Sequence, residues 1–194
     1  MMERAREVTR SKGYENLDFI RSADDMVILV HWHPKEDWIL QKVQKRHKEE
    51  LDKLEVEMNL EKTKVVDLKK GGSFSFLGFD FRFTRNREGK AYVSKTPRKK
   101  KCIEIGKKIK AALKANWNKP LKEVIQAINA IIRGWVNYFR IGNSNSAFSK
   151  VRDYLEMKVR KFVLRRKKLK GFGWKRWSRE EIYGKLGLYN DYRI

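Results

Sequence analysis

Phe19-Ile20-Arg21-Ser22-Ala23-Asp24-Asp25-Met26-Val27-Ile28-Leu29-Val30 is the stretch on which the reading of this 194-residue chain turns. An apolar pair leads into a short polar cluster, and five apolar residues lead away from it. Phe, Ile and Val suit a pleated, half-buried surface, and the longer run has the length of a strand. The spacing predicts strand–turn–strand. Successive side chains on a strand point to opposite faces, so Asp24 and Asp25 converge only if the backbone turns beside them. Two bare carboxylates at a hairpin tip repel unless a cation lies between them. Hard oxygen donors of this kind suit Mg²⁺, with water and substrate phosphates in the remaining positions. The flanking apolar runs predict a buried hairpin that holds the pair; an ordinary surface Asp pair is the plainer alternative.

Outward from this stretch, charge is the strongest compositional signal. Lys and Arg number 47 against 24 Asp and Glu, a net charge of +23. Residues 1–70 hold 15 basic and 15 acidic side chains, and residues 71–194 hold 32 and 9, so the whole excess lies in the second part. Such asymmetry points to a polyanionic partner. The aromatics are scattered rather than gathered on one helix face, which favours nucleic acid over a membrane surface. A purely structural RNA binder fits this charge equally well. No apolar run approaches the roughly 20 residues of a membrane helix, and 41% apolar residues exclude disorder by composition. The single Cys102 excludes an internal disulfide and a Cys-based zinc site. A reducing compartment is expected, the bacterial cytoplasm or an organellar matrix, and with no basic-then-apolar leader, no secretion.

Along the chain, residues 1–18 predict a short helix or tail. His31-Trp32-His33-Pro34 reads as a strand end and loop, since a His-x-His pair has no third ligand nearby. A helix is predicted from Pro34 to about Met58, with Ile39, Val43, His47, Leu51 and Leu54 on one face. Asn59 to Val66 predicts a turn and a short strand. After Gly71-Gly72, the alternating aromatics from Phe79 to Phe83 predict a half-buried strand, with a turn at Arg87-Glu88-Gly89-Lys90 and Ala91–Ser94 pairing back. Thr96 to Lys101 reads as a basic hinge.

Ile103 to about Ala115 predicts a helix with Ile105, Ile109, Ala112 and Leu113 inward and Lys107, Lys108, Lys110 and Lys114 outward. Pro120 suits a helix start. Leu121, Val124, Ile125, Ile128, Ile131, Ile132, Trp135, Val136 and Phe139 then recur at helical spacing. Gly142 and Asn143–Ser146 are expected to end this helix and cap the next. The pattern resumes there at Phe148, Val151, Leu155, Val159 and Phe162. Two antiparallel helices need a third to bury their faces, and Ile103–Ala115 is the nearest. From Lys158 the surface is expected to turn basic, through Arg160, Lys161 and Arg165 to Arg179, with Trp174 and Trp177 interleaved. The tail to Ile194 is expected to fold back.

Several of these segments carry a resemblance. Ala23-Asp24-Asp25 between apolar runs resembles the catalytic motif of the reverse transcriptase/maturases encoded by group II introns, with Ser22 where that family carries Tyr. Glu61-Lys62-Thr63-Lys64 resembles the family's Lys-Thr segment after the palm helix. Phe76-Leu77-Gly78-Phe79 resembles the turn that grips the primer end; a plain hairpin core is the alternative. Arg133-Gly134-Trp135-Val136-Asn137-Tyr138-Phe139 resembles the signature of the maturase-specific domain. The resemblance covers about residues 19–83 and 96–194.

It implies an α+β fold. Residues 1–95 would be the C-terminal remnant of a reverse-transcriptase palm, antiparallel strands plus a helix. Residues 96–194 would be an all-α thumb and maturase-specific domain that binds RNA. Asp24 and Asp25 would be catalytic metal ligands, Lys62 the cation near the nucleotide phosphates, and Phe76, Leu77 and Gly78 the primer grip. RNA contacts would come from Lys99, Lys100, Lys101, Lys107 and Lys108, then from Arg133, Asn137, Tyr138 and Arg140 off the apolar stripe. Arg165, Arg166, Lys167, Lys168, Trp174 and Lys175 complete the set. A solvated charge run is the alternative for the last group.

Two-metal nucleotide transfer needs a further carboxylate. The upstream acids Glu3, Glu7, Glu15 and Asp18 do not sit in an apolar strand, so the chain is expected to be the C-terminal part of such a protein. Mg²⁺ would bind only if another chain completed the site. The implied partners are folded group II intron RNA, an RNA/DNA duplex and a separate N-terminal reverse-transcriptase chain, with no membrane. Three functions follow: an RNA-binding fragment that assists intron folding and splicing, one half of a split RNA-directed DNA polymerase, or a gene remnant without a role.

Overall fold

A computed structural model of the chain describes residues 17–31, 37–59 and 61–194. The expected α+β class holds, with small antiparallel sheets and several helices. The chain forms two compact units, Met1–Val66 and Asp67–Ile194.

In the first unit, β1 (Leu17–Ser22) and β2 (Asp25–Val30) pair antiparallel, Ile20 opposite Val27 and Ser22 opposite Asp25. Ala23 and Asp24 are left as a two-residue loop. Ala23 takes a positive φ of 52°, and Arg21 Nε donates to its carbonyl oxygen at 3.0 Å. The predicted strand–turn–strand is therefore present. Its burial is not: Phe19, Ile20 and Leu29 are 37%, 49% and 39% exposed. Met26, Val27, Ile28 and Val30 are only half-buried, and a two-stranded ribbon seals its side chains only against a further layer.

Helix α1 (Asp37–Lys53) ends before the predicted Met58. Glu55 adopts φ 54°, Glu55 N donates to Asp52 O, and Val56 N donates to Leu51 O at 3.0 Å. This is a Schellman ending, usually marked by Gly; a Glu gives no warning of it. Leu54 thus lies beyond the helix and is exposed. The strand expected before Val66 is absent. Asn59 Oδ1 accepts Lys62 N, and Thr63 Oγ1 donates to Asn59 O, closing a turn followed by coil.

The second unit begins with a sheet of β3 (Ser73–Phe76), β4 (Phe79–Arg85) and β5 (Ala91–Pro97), in that order and antiparallel. Leu77 and Gly78 join β3 to β4 with φ of 49° and 79°. Positive φ at both positions is the hairpin turn that matches strand twist. Pro97 is buried, and only Arg98 separates β5 from α2 (Lys99–Ala115). Arg98 N donates to Gly78 O at 2.9 Å. The predicted basic hinge is therefore the end of a strand and the first turn of a helix.

Helices α3 (Leu121–Phe139) and α4 (Asn145–Arg166) follow, then a π-helical turn at Glu181–Lys185. Ile105, Ile109 and Leu113 of α2 join Val124, Ile125, Ile128 and Ile132 of α3 and Val151, Leu155 and Val159 of α4 in one core. The third helix is the one expected. Each such side chain, fully buried, stabilises the fold by roughly 1.5–3 kcal/mol. A second cluster joins sheet to helices: Phe79 packs with Val136, Phe139 and Phe148. The second compact unit starts at Asp67 and so holds both the sheet and the helices.

Gly142 is buried between these layers. A Cβ there would lie 2.6 Å from Lys95 O and 2.8 Å from Phe79 Cε1. Ser144 Oγ donates back to Phe139 O at 2.6 Å, and no side chain caps α4. The Gly142–Ser146 cluster thus terminates α3 rather than capping the next helix. Among the described residues, no helix is long and apolar enough to cross a membrane.

Candidate nucleic-acid interface

Asp24 sits in the β1–β2 loop and Asp25 opens β2, both exposed. Among the described residues no group of three or more His, Cys, Asp or Glu could hold a metal. The pair fits Mg²⁺ only as part of a larger donor set. Asp18 does lie in strand β1, opposite Leu29. That is four residues from the hairpin tip, about 14 Å at the rise of a strand. Glu3, Glu7, Glu15 and His33 lie outside the described residues, and His31 is exposed at the end of β2. Lys62 is exposed in its turn, and no hydrogen bond or ion pair joins it to either Asp.

Phe76 is buried, while Leu77 and Gly78 form the β3–β4 turn. The turn does not project freely. Tyr138 Oη donates to Leu77 O at 2.8 Å, and the Tyr138 ring stacks on Phe79 with centroids 5.9 Å apart. Tyr138, an RNA-contact candidate by sequence, thus has its hydroxyl engaged in tying α3 to the sheet.

On α2, Lys99, Lys100, Lys101, Lys107 and Lys108 are all exposed. Lys101 pairs with Glu104 at 2.9 Å, and this hydrogen bond holds the Glu104 carboxyl below its ordinary range. A groove of about 480 Å³ runs between α2 and α4, with Lys99, Lys107, Lys110 and Lys150 on its walls and Ile103 and Tyr154 among its lining. Gly106 admits the Tyr154 ring; a Cβ there would come within 3.3 Å of it. Sequence reading missed Lys150 and Tyr154. Their i, i+4 spacing puts them on one helix face, but nothing local brings that face to α2.

At the end of α3, Arg133 and Asn137 are exposed, and the Arg133 guanidinium lies 5.8 Å from the Tyr189 ring centroid. Arg140 is engaged internally. It pairs with Asp191 at 2.8 Å and donates to Tyr189 Oη. The hydrogen bond between Arg140 and Asp191 raises the Arg140 pKa and lowers that of Asp191. The tail also docks through Asn129, which donates to Gly187 O and accepts from Tyr189 N, each at 2.8 Å. A lone Asn on a helix gave no sign of this.

Arg165, Arg166, Lys167, Lys168, Trp174 and Lys175 are exposed. Arg166 donates to Lys119 O at 2.7 Å, and Lys167 Nζ lies 5.2 Å from the Trp177 ring centroid. Arg160, expected on this basic surface, is instead 2% exposed. It donates to Glu156 Oε2 at 3.0 Å and to Trp177 O at 2.7 Å. Arg179 reaches Glu156 at 3.1 Å and Asp153 at 3.2 Å, and Tyr183 Oη donates to Glu156 at 2.7 Å. Burial pushes the Glu156 carboxyl up, but the hydrogen bonds from Tyr183, Arg160 and Arg179 outweigh it and hold the pKa below the ordinary value. A buried charge pair survives only with its remaining valences satisfied, and these partners satisfy them. The i, i+4 spacing of Glu156 and Arg160 was the legible hint.

Of the cations expected to contact RNA, the solvent-facing ones lie on α2, on α3 and on the segment from the end of α4 to Lys175; further exposed cations lie on the β4–β5 hairpin at Arg82, Arg85, Arg87 and Lys90. Their geometry suits phosphate pairing, which gives affinity and register rather than sequence choice. Residues 104–183 match the model of the group II intron maturase-specific domain. The matched span starts inside α2, takes in α3, α4 and the basic segment, and ends at Tyr183. Over those residues the chain is similar to that domain. No curated protein matches the chain.

Proposed function

We propose that this chain, whose residues 104–183 match the group II intron maturase-specific domain, binds folded intron RNA and assists its splicing. One observation carries the reading: the matched domain lies within the part of the chain that holds the entire charge excess. In this reading the RNA performs the bond chemistry. The protein binds the splicing-competent fold more tightly than its alternatives, and the shift it produces equals that difference in affinity. Lys99–Lys101, Lys107, Lys108 and the Arg165–Lys168 run supply phosphate contacts. Residues 1–95 would be the remnant of a palm, and residues 96–194 the thumb and maturase-specific domain, with α2 the thumb helix.

The test is binding of structured intron RNA over a range of salt, beside an unrelated hairpin of equal length. Affinity is expected to fall steeply with salt and to favour the intron. Salt-independent binding, or equal affinity for both RNAs, would overturn the reading.

A second reading has its own support in the exposed hairpin. Asp24 and Asp25 stand at the tip of a ribbon whose Phe19, Ile20 and Leu29 a further palm layer would cover. A separate N-terminal reverse-transcriptase chain would supply that layer, a third carboxylate and thus the Mg²⁺ site on an RNA/DNA duplex. Mixing the chains should then restore Mg²⁺-dependent primer extension, which Asp24→Asn should abolish. No extension from the mixture would leave RNA binding alone.

A further inference from the structure

We infer that Trp174 is a stacking platform for an unpaired nucleobase. The Trp174 ring lies 4.1 Å, centroid to guanidinium carbon, from Arg160. That guanidinium is buried and held by Glu156 and the Trp177 carbonyl. The indole is therefore backed by a fixed cation rather than a mobile one. It is nevertheless 53% exposed, so much of its surface remains open to solvent.

Backbone geometry holds it there. Gly173 takes φ 78°, and a Cβ on it would lie 2.8 Å from Leu164 Cδ1. The glycine lets the loop press down on α4 and sets the next residue over Arg160. Phe172 repeats the arrangement: it is 52% exposed, with Lys161 Nζ 4.0 Å from its ring centroid. Two open aromatic rings are thus each backed by a cation from one turn of α4.

The surroundings select the ligand. Residues 165–176 contain seven Lys or Arg and no Asp or Glu. A partner must offer both negative charge and flat apolar faces. Unpaired nucleotides offer both, and a rigid aromatic accepts any base because every base has a π-face. A continuous duplex hides its base faces in its own stack and offers phosphates alone. The platform rests on the RNA-binding reading above and adds the class of RNA element: single-stranded loops rather than helices.

The test compares the full chain with Trp174→Leu, which keeps apolar packing without the π-system, and Trp174→Phe. The probes are an RNA hairpin with an unpaired loop and a blunt duplex of equal length. Trp174→Leu is expected to weaken the loop RNA about tenfold, leave the duplex and the salt dependence unchanged, and be largely rescued by Phe. An equal effect on both RNAs, or none, overturns the platform while RNA binding stands. No binding of either RNA by the unaltered chain overturns both readings. Should Trp174→Leu not fold, 2-aminopurine placed at each loop position reports on the unaltered chain: quenching at one or more positions supports stacking, and none at any overturns it. Anionic lipid vesicles form a further arm. Vesicle binding that depends on Trp174, with loop RNA unaffected, overturns the assignment in favour of a membrane surface.

Discussion

Asn143 and Lys95 are bound to each other twice. Asn143 N donates to Lys95 O at 2.6 Å, and Lys95 N donates to Asn143 Oδ1 at 2.9 Å. The corner between α3 and α4 therefore continues the hydrogen bonding of β5, and the sheet is stitched to the helices by backbone as well as by the Phe79 cluster. Asn143→Ala leaves Lys95 N without its acceptor and is expected to destabilise the second unit by about 1–2 kcal/mol. Gly142→Ala should be worse, about 2–3 kcal/mol, because its Cβ meets a backbone oxygen that has nowhere to move. Urea unfolding of the two variants checks the order; equal midpoints with the unaltered chain would contradict it.

The Glu156 network gives the second unit a defined response to acid. Its folded pKa is depressed, so its stabilisation is present above the unfolded value of about 4.3 and is lost as pH falls through the folded value. Thermal melts should weaken below about pH 5. Glu156→Gln should lower stability at neutral pH, where Arg160 is left buried beside a neutral partner, and flatten the acid limb. An unchanged acid limb in that variant would assign the pH dependence elsewhere.

Tyr183 and Tyr192 act at the opposite end of the scale. Burial, first of all, raises both phenols well above their ordinary pKa, aided at Tyr183 by its hydrogen bond to Glu156. A raised folded pKa means stability that is intact below the unfolded value of about 10 and declines as pH rises through the folded one. Alkaline unfolding should therefore begin near pH 10 and be shallower in Tyr192→Phe. Absorbance of tyrosinate, followed against circular dichroism, should show ionisation of these two rings only as the fold is lost.

Salt reports how many phosphates the protein neutralises. Replacing Lys167 and Lys168 by Gln should weaken RNA binding across all sequences and reduce the slope of log affinity against log salt by roughly 0.7–0.9 for each phosphate no longer neutralised. Lys107 and Lys108 should behave alike and add to them. Arg140→Ala should behave differently, since that guanidinium is tied to Asp191. It should release the tail, seen as faster proteolysis near Tyr189, with the salt slope unchanged. A fall in slope for Arg140→Ala would put its charge on the RNA after all.

Asp24→Asn should leave RNA affinity within about twofold of the unaltered chain, because the pair lies in the first unit, away from the basic segment in sequence and charge. Only an assay of nucleotide transfer with a completing chain should register it.

The helices were legible because their periodicity is long. Nine apolar residues at 3.6-residue spacing from Leu121 to Phe139, then five more from Phe148 to Phe162, leave one way to bury themselves, and the core of α2, α3 and α4 is that way. The hairpins of β1 with β2 and of β4 with β5 were legible for a related reason: strand-forming runs flank short turns. Element ends were harder. Glu55 closes α1 in a conformation that Gly usually marks, and Pro97 ends a strand where the basic run suggested a hinge. Composition also declared a polyanion partner, since no fold alters the sum of 32 basic and 9 acidic side chains in residues 71–194.

What only tertiary structure decided is which charges are available. Arg160 and Arg165 read alike along the chain, yet one is sealed against Glu156 and the other faces water. Arg140 and Arg133 differ likewise, through Asp191, 51 residues beyond Arg140 in sequence. Lys150 and Tyr154 meet Lys99 and Lys107 across a groove that no local pattern encodes. A side chain's type and spacing are written in the sequence, but its solvation depends on what the rest of the chain lays over it.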